Sequence, residues 1–250
     1  AEAFHFLLNT AMSRGYTRDA LYYIGIAKKK HPGDFTLLWK EYTLYKQLGD
    51  QRQAKFLLSK LFRLRPQNRD VIEALSAYHM DDAANLMSGM DYHEALPFLD
   101  FVINHSDDKE QVLGALNKKY TCLFETKQYR EAEELLMQIM QRFPGDRNIY
   151  MRRADLLVAQ DRYPEALSLI SGILKGSSGK EHRSLYLSEY EDIAVKYIKK
   201  LQAEGSPREA LSTADGLLQL YPSSKLGLTY AINNSALLKD STLFNKYCHE

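Results

Sequence analysis

The chain has 250 residues, 45% of them hydrophobic and 26% charged, with a formal net charge of +1. That composition is usual for a globular chain, and the near-neutral charge lacks the basic footprint of a nucleic-acid binder. Two distant cysteines, Cys122 and Cys248, make neither a disulfide framework nor a zinc pattern, and no apolar run approaches the ~20 residues that span a bilayer.

Helical periodicity begins almost at once. Phe4, Leu7, Leu8 and Ala11 fall at i, i+3, i+4 and i+7, one stripe of a helix. Gly15 breaks it, Thr17 is the expected N-cap of a second helix, and His31-Pro32-Gly33-Asp34 is the turn out. The next pair has a first helix from Phe35 to Leu48 and a second opened by Asp50, with Gln53 at the capping-box position. The segment 67–108 is irregular: seven extra residues, about two helical turns, predict a long helix from Val71 to Met87. A second helix starts near Asp91, with Glu94 at the capping-box position. Pro97 falls inside it, which predicts a kink or a start displaced by one turn.

Residues Gln111 to Arg142 form the most regular pair. In the following pair, Pro164 sits in the first turn of the second helix, where its missing N–H costs nothing. Residues 175–180, KGSSGK, read as a hinge or loose turn. A long helix from Glu181 to Ala203 follows, then Ser206-Pro207-Arg208-Glu209 as a capping box, and a seventh pair beginning at Ser223. The chain starts in one helical pattern and stops about two turns into another, so it is read as part of a longer protein.

The second helices share one block. From Ala132, apolar residues lie at +3, +4, +7 and +8 (Leu135, Leu136, Ile139, Met140), and Pro144 stops the helix. The block recurs from Ala54, Ala95 and Ala166, and more weakly from Ala20 and Ala210, at intervals of 34, 41, 37, 34 and 44 residues. A period near 34 with an Ala, an aliphatic four residues on and a closing Pro resembles the tetratricopeptide repeat family. The resemblance implies an all-α, right-handed superhelical solenoid of antiparallel helix pairs. It would hold about six repeats plus a partial seventh, in a single domain over residues 1–250.

No Cys-x-x-Cys, His-Glu-x-x-His or Gly-x-Ser-x-Gly occurs, and Gly176 to Lys180 lacks the first Gly and the Ser or Thr of a phosphate loop. His79 with Asp82, and His93 with Glu94, are read as solvated or capping groups, because the spacing supplies no converging ligands. Neither an enzyme nor a cofactor site is expected. Tyr42, Tyr120, Tyr129 and Tyr163 stand at the family's inter-helix packing positions.

In such arrays the first (A) helices line the concave face. Carrying the family's groove positions across gives Asn9, Trp39, Lys40, Asn117, Lys118, Thr121, Arg152, Asp155, Lys196 and Lys199, with His5, Thr43 and Met151 beside them. The family's carboxylate clamp is broken here: His5, Lys40 and Asp81 stand where Lys, Asn and Arg are wanted. Lys118, Arg152, Lys196 and Lys199 suggest a cationic strip for an acidic or hydroxyl-rich ligand. The resemblance implies a non-enzymatic scaffold for a protein or peptide partner. The alternative is a helical module of a bacterial polysaccharide-export or outer-membrane system, binding an extended polymer. Neither reading involves nucleic acid or membrane insertion by this segment. The compartment leans to a bacterial periplasm or cell envelope, with the cytoplasm as alternative.

Overall fold

The computed structural model describes residues 2–144, 148–176 and 182–248. It is helical, with fourteen helices among the described residues, and divides into two compact units. Unit 1, Ala1–Lys127, contains α1 (Glu2–Ser13), α2 (Thr17–Lys30), α3 (Phe35–Gln47), α4 (Gln51–Leu64), α5 (Arg69–Ser88), α6 (Tyr92–His105) and α7 (Lys109–Glu125). Unit 2, Gln128–Glu250, contains α8 (Tyr129–Arg142), α9 (Asn148–Ala159), α10 (Tyr163–Lys175), α11 (Arg183–Ala203), α12 (Pro207–Leu220), α13 (Lys225–Leu237) and α14 (Ser241–Cys248). The boundary falls inside the pair whose spacing is the most regular. Most of the expected 175–180 hinge lies outside the described residues.

The even-numbered helices are the B helices. Their fourth residue is the anchor, and Ala20, Ala54, Ala95, Ala132, Ala166 and Ala210 are each 0% exposed. An alanine here lets the partner helix approach closely, and a longer side chain would hold it off. The seventh anchor is Phe244, which does not fit that space and stays 37% exposed. Behind each anchor the predicted stripe is buried. Leu57, Leu58 and Leu61 line α4, and Leu135, Leu136 and Ile139 line α8. In α1, Leu8 and Ala11 of the stripe are buried, whereas Leu7 is 46% exposed.

The residue five positions before each anchor has left-handed backbone. These are Gly15, Gly49, Met90, Lys127, Asp161, Gly205 and Lys239, with φ from 56° to 74°. The following residue then donates to the carbonyl five back, as Asp50 N does to Tyr45 O (3.0 Å) and Arg162 N to Leu157 O (2.8 Å). This is the Schellman end of a helix, which satisfies otherwise free carbonyls. Glycine does this without strain, and four of the seven turns do it without glycine.

Both units contain one elongated A helix, α5 with 20 residues and α11 with 21. Each carries a glutamate that ties down the start of the next A helix, 33 residues on. Glu73 of α5 accepts from Ser106 Oγ (2.8 Å) and Asp107 N (3.1 Å). Glu191 of α11 accepts from Ser224 Oγ, and that oxygen in turn caps Gly227 N at 2.8 Å.

Several terminal expectations change. Thr17 is the first helical residue of α2 and Tyr16 holds the cap position, with no side-chain cap bond, because the Schellman turn already fixes the chain there. Ser206 holds the cap position of α12 and also makes no cap bond. Asp50 does cap α4, accepting from Gln53 N at 3.0 Å. Pro97 lies in the second turn of α6, yet the helix starts at the regular place and is not displaced. Its cost is one lost donor to the His93 carbonyl, on an exposed stretch.

Candidate functional site

The candidate residues fall on the A helices of their own units. In unit 1, Asn9 (α1) and Lys40 (α3) are brought together, with Lys40 Nζ donating to Asn9 Oδ1 at 2.8 Å. Neighbouring A helices thus share a polar surface. Trp39 is half-buried instead of displayed. It lies parallel to Phe35 (centroids 6.4 Å, 7°) and tilted against Tyr42 (5.1 Å), on the core formed by Leu38, Leu57 and Leu75. On α7, Thr121 is exposed and its hydroxyl donates to Asn117 O at 3.2 Å. Lys118 is half-buried, and its charge favours the thiolate of Cys122, but burial outweighs it and pushes that thiol up. Cys122 is therefore an inert core residue.

In unit 2, Asp155 of α9 and Lys196 of α11 share one neighbourhood, with Glu189 and Asp192 of α11. Crowding by protein raises the Asp155 carboxyl above its ordinary range, and Lys196 pulls it back. Glu189 is raised by the same crowding and by repulsion from Asp155 and Asp192, again opposed by Lys196. Asp155 is nevertheless exposed to solvent. Asp192 and Lys196 are exposed as well, so these groups form a mixed-charge surface on α9 and α11. Arg152 is half-buried and Lys199 exposed on the same two helices. The expected cationic strip is therefore interleaved with acids. Glu189 and Asp192 were missed because the resemblance supplies positions, not the charges around them.

His79 departs most from its expectation. Its ring packs against Phe98 (5.2 Å) and Phe101 (4.6 Å), and its Nδ1 lies 3.8 Å from Asp82 Oδ2. Lys55 of α4 binds the same carboxylate. Burial, then Lys55, lower the His79 pKa below its ordinary value, against the pull of Asp82. It is a packed, neutral histidine between α5 and α6. His93 and Glu94 are exposed, as expected. Among the described residues no three His, Cys, Asp or Glu side chains converge on a metal site, and no helix is long and apolar enough to cross a membrane.

Stacked helix pairs with buried alanine anchors and polar A faces define a tandem helical-repeat protein. Residues 123–185 match the tetratricopeptide repeat family, and the remaining helix pairs have the same fold. Nothing among curated proteins matches the sequence. Among solved structures, Naa15/Naa10 bound to HypK-THB is similar at TM-score 0.55 and 11% identity, over 98% of this chain and 36% of that one. The chain thus spans about a third of that structure's length, and the likeness shows the fold. The flexible tandem repeat domain of a bacterial cellulose synthase aligns at TM-score 0.46 and 14% identity, over 94% of this chain and 96% of that one. YrrB, described as a TPR protein with an unusual peptide-binding site, aligns at 0.42 and 14%, over 82% and 96%. The repeat is in general a non-catalytic scaffold, and its fold supports protein interaction.

Proposed function

We propose that the chain is a non-enzymatic scaffold that binds an extended protein segment along the A-helix faces of its units. The mixed-charge surface of unit 2 carries this reading, where Asp155, Glu189 and Lys196 lie near enough across α9 and α11 to act on one another. Opposite charges side by side match both charge signs of a peptide. Such complementarity serves specificity more than raw affinity.

The test is peptide display on the wild-type chain, followed by calorimetry with the selected peptide. Charge reversal of Arg152 and Lys196 together should weaken binding about tenfold or more, from a lost attraction and a new repulsion. Unchanged affinity in the double variant, with the fold intact by circular dichroism, would remove the A face of unit 2 as the binding surface.

A further inference from the structure

A second concavity lies in unit 1, formed with the B helices α4 and α6 and not on the A face alone. It has a volume of about 390 Å³ and is lined by Lys55, Asp82, Asn85, Leu86, Asp91 and Phe98. The Lys55 ammonium sits 5.3 Å above the centre of the Phe98 ring and is held by Asp82. The slot therefore already binds one cation, by an aromatic face and a carboxylate, the pairing that suits ammonium and guanidinium groups.

A second carboxylate is unspent. Asp91 stands at the N-cap of α6, as Asp50 does at the N-cap of α4. Asp50 caps its helix, whereas Asp91 makes no cap bond. Its side chain turns back instead toward the end of α5, with Oδ2 3.2 Å from where a Gly89 Cβ would stand. The last carbonyls of α5 add negative potential there. Two carboxylates against one ammonium leave the lining net negative, so an anionic ligand is repelled.

We propose that this slot takes an arginine or lysine side chain from a protein partner. The aliphatic stem lies along Leu86 and Phe98, and the charged head meets Asp91 and the free side of Asp82. The site is independent of the peptide-binding reading of unit 2.

The experiment titrates the full chain with the peptide acetyl-Gly-Arg-Gly-amide, its Lys analogue and its Glu analogue, followed by amide chemical shifts in NMR. The Arg and Lys peptides should give saturable shifts at Asn85, Leu86 and Asp91, and the Glu peptide none. D91N should weaken binding about threefold or more, from loss of a charge-assisted contact, with the melting temperature unchanged because Asp91 caps nothing. K55M should tighten binding by a similar factor, because it frees the Phe98 face and Asp82. Larger shifts with the Glu peptide, an unaltered affinity in D91N, or no saturation with any of the three would overturn the proposal.

Discussion

Units 1 and 2 are built from the same parts and differ in where they keep their charges. Each has one elongated A helix whose glutamate fastens the next A helix, Glu73 to Ser106 in unit 1 and Glu191 to Ser224 in unit 2. In unit 1 the elongated helix also carries His79, packed against Phe98 and Phe101 beside the Lys55–Asp82 pair. In unit 2 the elongated helix sets Glu189, Asp192 and Lys196 around Asp155. One backbone repeat thus supports an aromatic patch around an ion pair in one unit and a mixed-charge surface in the other. The repeat fixes where side chains stand; the side chains decide what each face can bind.

The fastenings give the widest contrast in stability. Ser224 is 3% exposed and serves both Glu191 and the Gly227 N–H, so Ser224→Ala strands the buried N–H and a half-buried carboxylate and should cost ~1–3 kcal/mol in urea unfolding. Ser106→Ala should cost less, ~0.5–1.5 kcal/mol, because Glu73 keeps the Asp107 N–H and the Asp108 N–H that Ser106 Oγ serves lies on an exposed residue. Equal costs would mean that the two fastenings are equivalent and would break this contrast.

The left-handed turns come next. Met90→Gly and Lys127→Gly in unit 1 relieve a strained backbone at φ 66° and 59° and should stabilise by ~0.5–1 kcal/mol each. Asp161→Gly in unit 2 should gain less or lose, because Asp161 also binds Lys200 at 2.8 Å. A destabilised M90G would show that its side chain contributes packing the exposure does not reveal.

Acid should separate the units by the smallest effect, since water screens these groups. His79 has a folded pKa below its ordinary 6.5, so the unfolded chain binds the proton first as pH falls below that value. Unit 1 then loses stability with acid, and His79→Phe should flatten the loss. Asp155 and Glu189 have folded pKa values above 3.8 and 4.5, so the folded chain protonates first and unit 2 gains relative stability as pH falls toward that range. Unfolding followed by exchange at unit-specific amides across ~pH 7 to 4 reads both slopes. Slopes of the same sign would break the contrast.

Much of the architecture is legible in the residues. The alanine anchors, their aliphatic stripes and the extra turns of α5 follow from spacing, because a 3.6-residue period leaves a direct trace in the sequence. Turns were legible only where glycine marks them: Gly15, Gly49 and Gly205 announce the left-handed residue, whereas Met90, Lys127, Asp161 and Lys239 hide it. Capping was half legible, since Asp50 and Asp91 look alike in sequence and only Asp50 caps.

The sequence by itself determined the helices, their pairing and the small residue at six of seven contacts, because local periodicity and side-chain volume act over a few neighbours. Tertiary structure alone decided that His79 is caged by Phe98 and Phe101, that Trp39 packs against Phe35 and Tyr42, and that Asp155, Glu189 and Lys196 act on one another. Those outcomes depend on which side chains from separate helices converge, and on how much water the convergence leaves around a charge.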